Sequence, residues 1–261
     1  MQDFIQFKNA KISFSDKGKG TAIVLIHGFL ENATMWKNII PELSKRNRII
    51  TIDLLGHGKT ACLGYVHSMK LFAETIEAVL KHLRIRKCIL VGHSLGGYVA
   101  LAFAEKHPQK IKGLCLMNST SIEDDEQRKT LRARANKMIQ NNYTNMVRMS
   151  FANLFGKNSK TIFKEDMKQA LNEALQTPIQ GYIAAQEGMR IRPNRSDVLS
   201  KNNFKKLIII GEKDPVLDYN TSINEAKNTN SEFVVFPDGH MSHIENKDEL
   251  IIALKGFVKN C

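Results

Sequence analysis

Cysteine is scarce in this chain, and long apolar runs are missing. Four cysteines among 261 residues are too few for a disulfide framework, the device by which small secreted domains replace a core. Cys88 and Cys115 lie in apolar runs and are expected as buried thiols, whereas Cys62 lies in a loop. Cys261 is the last residue and lacks the residues that follow the cysteine of a prenylation box. No apolar stretch approaches the ~18 residues that cross a bilayer. Met1-Gln2-Asp3-Phe4 introduces no basic segment and no apolar one, so no secretory leader is expected, and the expected compartment is the cytoplasm. There is no internal repeat and no low-complexity tract.

Acidic side chains are outnumbered, with 26 Asp and Glu against 38 Lys and Arg, a net charge of +12. A nucleic-acid-binding surface would gather that excess into one stripe. Residues 119–203 carry +5 of it and the rest of the chain +7. The charge is therefore spread, as on a lysine-rich solvated surface, and neither a nucleic-acid partner nor a membrane span is expected. A hydrophobic content of 43% and a charged content of 25% are those of a soluble globular protein. The length suits one large α/β domain or two small ones, with enough core to need no staples.

What the chain does have is a rhythm. Apolar runs recur at 22–26, 48–52, 87–91, 112–117, 207–210 and 232–236. Runs of this kind read as strands buried on both faces. Helical patterns lie between them: 34–44, 96–107, 220–229, 245–259, and one capped by Ser68 with Phe72, Ile76, Val79, Leu80 and Leu83 on its apolar face. Residues 2–8 and 10–15 alternate loosely and read as two edge strands with a turn near Asn9. From about 120 to 203 no strand is expected, and helical stretches fall near 123–142, 144–155, 160–176 and 178–189. The expected architecture is α/β: a mostly parallel eight-stranded sheet flanked by helices, built from residues 1–119 and 204–261, with residues 120–203 inserted as a helical cap after strand six.

The most informative stretch is Gly92-His93-Ser94-Leu95-Gly96, which follows the apolar run Cys88-Ile89-Leu90-Val91 and runs into a helix. G-x-S-x-G between a strand and a helix is a nucleophile elbow: a sharp turn that lifts a serine hydroxyl out of the sheet. The flanking glycines leave room for close backbone approach. In a parallel sheet, ligands gather at the carboxyl ends of the strands. Those ends carry His27-Gly28-Phe29, then Asp53 with Gly56-His57-Gly58, then Ser94, Asn118-Ser119, Gly211-Glu212-Lys213-Asp214, and Asp238-Gly239-His240. A serine, an acid and a histidine thus converge from distant positions. Serine needs a base within reach, and the base needs an acid to fix its tautomer.

These motifs, with Pro215, Met241 and Glu245, resemble the α/β-hydrolase fold family, in the chain order serine, acid, histidine. The resemblance covers nearly the whole chain except the insertion. It implies Ser94 as nucleophile, Asp214 as orienting acid and His240 as general base. The backbone N–H groups of Phe29 and Leu95 are implied as an oxyanion hole, each donor worth about 3–4 kcal/mol, and Gly28 lets the first of them point inward. His243 is the rival base and Asp218 the rival acid. Asn118 occupies the family's other acid position, which favours Asp214. His27 and His57 are read as structural hydrogen-bonders and His93 as shaping the elbow.

A serine at the elbow, rather than aspartate, implies acyl chemistry. The expected activity is cleavage of an ester-type bond in a small, partly apolar substrate through an acyl-enzyme, with no cofactor and no metal. The alternatives are a carbon–carbon bond hydrolase or menaquinone-pathway type lyase, which would draw on Arg190, Arg192 or Arg195, a haloperoxidase-like perhydrolase, and a ligand sensor or partner-binding protein with slow turnover. Met138, Met146, Met149, Met167 and Met189 of the insertion either pack its helices together or form an adaptable apolar wall for an acyl chain.

Overall fold

The structure is a computed structural model and describes residues 2–156 and 159–261; Met1 and residues 157 and 158 of the expected insertion lie outside it. Eight strands form one sheet: β1 Gln2–Phe7, β2 Ala10–Gly18, β3 Thr21–Ile26, β4 Asn47–Ile52, β5 Cys88–His93, β6 Ile111–Met117, β7 Lys205–Gly211 and β8 Glu232–Phe236. Their order is β1-β2-β4-β3-β5-β6-β7-β8. β1 pairs with β2, and β2 with β4, antiparallel; every other pair is parallel. The antiparallel edge follows from connection length. The chain reverses at Lys8-Asn9, and so short a link joins only antiparallel strands, whereas parallel neighbours need a crossover.

The crossovers are helical: α1 Ile40–Leu43, α2 Met69–His82, α3 Leu95–Lys106, then α4 Glu126–Met138, α5 Tyr143–Ala152, α6 Ser159–Ile162, α7 Lys164–Ala174, α8 Ile179–Arg190 and α9 Ser196–Ser200, and α10 Tyr219–Asn228; α11 Ser242–Glu245 and α12 Lys247–Lys259 follow β8. Between β6 and β7 the described residues contain α4 to α9 and no strand.

Strand periodicity sorts the core into two layers. Val24, Ile26, Leu90, Leu114 and Leu116 face one way, onto Phe72, Ile76 and Val79 of α2 and Val99 and Phe103 of α3. Ile23, Leu25, Ile89, Val91, Cys115 and Met117 face the other, onto Trp36, Leu43 of α1 and Leu250, Leu254 and Phe257 of α12. The central strands are buried on both faces, which is why they lack polar alternation. A third apolar cluster, with Val147, Phe151, Ala174 and Tyr182, holds the helices after β6 together and reaches Leu30 and Met241 of the main body.

Three expected helices are interrupted. Residues 34–44 divide into a 3-10 turn, Ala33–Trp36, capped by Asn32 Oδ1 accepting from Thr34 N at 2.9 Å, and the short α1. Pro41 has no N–H to continue a helix running through it, so it sits in the first turn of a new one. Residues 160–176 divide at Phe163 and residues 245–259 at Asn246. α9 carries too short a pattern to register as a helix.

The elbow joins β5 to α3 through Ser94 at φ 49° and ψ −114°. A side chain rarely accepts positive φ, and such strain costs about 1–3 kcal/mol. It persists because the chain on either side is clamped. A methyl group at Gly96 would stand 2.3 Å from the Ile26 carbonyl oxygen, and one at Gly92 would stand 2.3 Å from the Gly96 carbonyl oxygen. Gly96→Ala is therefore expected to destabilise the protein by about 1–3 kcal/mol in urea unfolding. Gly256→Ala, on an open face of α12 with nothing within 4 Å, is expected to stabilise by roughly 0.8–1 kcal/mol. Equal midpoints for the two variants would contradict this account of the elbow.

Candidate active site

From β3 the chain moves outward to β4, then returns across β3 to lay down β5 on its other side. This reversal is a topological switch point, where connections diverge and leave a crevice at the strand ends. Ser94 follows β5 and His27-Gly28-Phe29 follows β3, so both flank that crevice. Ser94 and His240 line one cavity of about 140 Å³ together with Phe29, His93, Tyr98 and Met241. Among the described residues the backbone N–H groups of Phe29 and Leu95 have no protein acceptor.

His240 follows β8, and its Nδ1 lies 2.7 Å from Asp214 Oδ2. Both side chains are almost wholly buried. Asp214 is fully satisfied as an acceptor. Oδ1 takes the backbone N–H of Val216 at 2.8 Å and of Leu217 at 3.1 Å, and Oδ2 takes Asn118 Nδ2 at 3.1 Å as well as His240. Burial pushes its pKa up, but His240 and these donors outweigh burial and hold the carboxyl below its ordinary range. Asn118 is itself fixed, donating to the Gly239 carbonyl at 3.1 Å and accepting from Ser242 Oγ at 2.6 Å. The asparagine after β6 thus bridges Asp214 and the loop that carries His240.

The rival residues are occupied elsewhere. Asp218 caps α10, accepting from Thr221 N at 2.8 Å. His243 stacks edge-on against His93 and lies 3.7 Å from Glu31 Oε1. His27 accepts from Leu54 N at 2.9 Å and reaches the Gly28 carbonyl at 2.7 Å, tying the ends of β3 and β4 together. Burial pushes the His57 pKa down to about 3. Arg190 pairs with Glu187, Arg192 with Asp124 and Arg195 with Glu105, and none of the three lines the cavity. Of the five methionines only Met189 lines it, while Met138 and Met149 are exposed.

Sequence reasoning missed two residues here. Glu31, three positions after Gly28, has a buried carboxylate whose Oε2 accepts from Gly28 N at 2.6 Å and meets His93 Nδ1 at 2.7 Å. His93 Nε2 reaches the His240 carbonyl at 2.9 Å. Both ring nitrogens therefore face acceptors, and only an imidazolium carries a proton for each. Burial opposes that charge, but the Glu31 carboxylate overcomes it and raises the His93 pKa; in return, against burial, His93 draws Glu31 down to about 2. The pair links the Phe29 loop to the His240 loop. With His243 it brings ligand-type atoms within 4.8 Å of one another, a spacing a metal ion also uses, but here Glu31 and His93 already balance each other's charge. The second missed residue, Arg132 of α4, also lines the cavity. The sequence signal for Glu31 was a lone acid in an otherwise apolar turn; for Arg132 there was none.

The pair has a pH window. Glu31, with a depressed pKa, contributes above the unfolded value of about 4.3, and the contribution is lost as pH falls towards about 2. His93, with a raised pKa, contributes fully below the unfolded value of about 6.5, and the contribution is lost as pH rises through its folded value. The stabilisation is expected to plateau between about pH 4.3 and 6.5. Glu31→Gln, which strands a buried imidazolium, is expected to cost about 3–5 kcal/mol in chemical denaturation at pH 6 and less at pH 9. A cost independent of pH would contradict a charged pair.

Comparison with known proteins agrees with this architecture. A thermophilic esterase from Thermogutta terrifontis, solved with malate bound, superposes with a TM-score of 0.94 at 27% identity, over 100% of this chain and 98% of that one. A pimeloyl-[acyl-carrier protein] methyl ester esterase from Aeromonas hydrophila is 36% identical over 42% of this chain and 42% of its own length. A 2-hydroxymuconate semialdehyde hydrolase from a Pseudomonas strain is 35% identical over 43% of this chain and 41% of its own. The chain covers from 33% to 64% of the length of the curated relatives it first matches. No helix among the described residues is long and apolar enough to cross a membrane. The family model described as the alpha/beta hydrolase fold matches residues 21–247; with the strand order and the switch-point crevice, the chain belongs to the α/β-hydrolase fold family.

Proposed function

We propose that this protein is a serine hydrolase that cleaves an ester-type bond of a small, partly apolar substrate. The observation that carries the proposal is the 2.7 Å contact of His240 Nδ1 with Asp214, made by an imidazole that shares one cavity with Ser94. Ser94 Oγ attacks the ester carbonyl while His240 Nε2 takes its proton. Asp214 accepts the Nδ1–H, fixes the tautomer and stabilises the imidazolium that forms. The developing oxyanion turns towards the backbone N–H groups of Phe29 and Leu95, whose freedom from protein acceptors supports that role. Collapse of the intermediate expels the alcohol, which takes the proton from His240. Water, deprotonated by the same imidazole, then attacks the acyl-enzyme and releases the acid with Ser94 restored.

In this reading residues 120–203 are a cap over the serine. Support comes from Arg132 and Ser150, on α4 and α5, and from Leu154 and Met189, all of which line the cavity with Ser94. The His240 backbone N–H also donates to the Leu154 carbonyl at 3.0 Å, so cap and base are tied at one point. The small cavity favours a small substrate, since sites for drug-sized ligands span about 300–1,000 Å³.

Ser94→Ala is expected to keep the fold and lose nearly all turnover of nitrophenyl esters. Asp214→Asn is expected to lower kcat by about 10⁴-fold, while Asp218→Asn leaves kcat unchanged. Equal losses at Asp214 and Asp218 would contradict the assignment. Stoichiometric labelling of Ser94 by a fluorophosphonate with no turnover of any ester would favour a ligand sensor instead.

A further inference from the structure

Arg132 spends two of its three guanidinium nitrogens on the protein. Nε donates to Asp124 Oδ2 at 2.5 Å and Nη1 to Gln186 Oε1 at 2.8 Å. Among the described residues Nη2 has no protein partner, and the side chain is 15% exposed, at the wall of the Ser94 cavity. Asp124 is fully buried and is shared: Arg192 Nη1 lies 2.8 Å from its other oxygen. One carboxylate therefore answers two guanidinium groups. Arg192 finds only neutral company for the rest of its charge, the carbonyls of Met189 and Ile122 and the face of Tyr98 at 4.0 Å. Glu31, the acid that lines the same cavity, is held by His93. The cap wall thus carries one positive charge more than its own acid balances.

Two guanidinium groups that share one carboxylate leave a mostly buried positive charge only partly answered, which is costly, and such charges are normally found paired. Arg132 and Ser150 both line this cavity, while Phe29, Leu30, Leu154 and Val216 add apolar residues to its lining. A ligand matching this arrangement has a reactive carbonyl at Ser94, a short methylene chain and an anionic end. Resting on the serine-hydrolase reading above, we propose that the preferred substrates are half-esters of short dicarboxylic acids, whose free carboxylate is received by Arg132 Nη2 and Ser150 Oγ. The charge-assisted bond to a guanidinium selects the carboxylate over a methyl terminus of the same shape. Arg132 is then a specificity-determining residue and takes no part in bond making.

The test compares kcat/KM of the full chain for monomethyl succinate, glutarate and adipate with that for methyl esters of the corresponding monocarboxylic acids of equal length. The half-ester is expected to be preferred by about tenfold or more at one chain length. Arg132→Gln is expected to cut that preference roughly 10- to 100-fold, chiefly through KM, with partial recovery in Arg132→Lys. Because Arg132→Gln also strips a partner from Asp124 and can unfold the cap, Ser150→Ala, which leaves the Asp124 pairs intact, is measured beside it and is expected to reduce the preference severalfold. Wild-type protein that hydrolyses the neutral ester as well as or better than the half-ester at every length overturns the proposal. Failure of the underlying reading looks different: neither ester is turned over, and a fluorophosphonate leaves Ser94 unlabelled.

Discussion

The site depends on holding one serine where its backbone resists being. Ser94 sits at positive φ between a buried strand and a helix. It stays there because β3 presses against Gly96 while Gly96 presses against Gly92. The sheet supplies that pressure: β3 and β5 are neighbours, so the strand that leads to Phe29 also braces the turn that carries Ser94. The strain is offset by the apolar layers on both faces of the sheet, so the energy that positions Ser94 comes from residues such as Val24, Leu90 and Phe103 far from any substrate.

Two buried polar chains then fix what the turn presents. One runs from Asn118 through Asp214 to His240 and joins the ends of β6, β7 and β8. The other runs from Gly28 through Glu31 and His93 to the His240 carbonyl and joins β3 and β5 to the same loop. His240 is thereby held by its side chain from one direction and by its backbone from another. Buried groups of this kind add little net stability when complete and cost a great deal when broken. Their contribution is geometric, since an imidazole held at two points keeps its orientation.

The fold was legible because its signals are local. Continuous apolar runs mark strands covered on both faces, and helices between them fix a parallel sheet; β3 to β8 appear where those runs lie, and β1 and β2 where residues 2–8 and 10–15 alternate. The elbow was legible because glycine, serine and glycine fall within five residues of a strand end. Asp214 and His240 were legible through chain order, and they meet. Glu31 was not, because its meaning lies in His93, 62 positions away. Arg132 was hidden for a different reason. It stands in a helix of mostly charged and polar residues, Glu126-Gln127-Arg128-Lys129-Thr130-Leu131-Arg132, where charge looks like solvated surface; only tertiary structure places it beside Asp124 at the cavity. The interrupted helices trace to single residues, such as Pro41, that act at a scale finer than periodicity.

On the reading proposed above, an acyl group passes through the oxygen of Ser94. Intact mass measurement after rapid acid quench of the protein with a saturating nitrophenyl ester, followed by peptide mapping, reads this directly. The expected result is a mass gain equal to one acyl group, located on the peptide that contains Gly92-His93-Ser94-Leu95-Gly96 and absent after the ester is exhausted. Turnover of the ester with no acylated species at any quench time, or with the acyl group on a different residue, would contradict it.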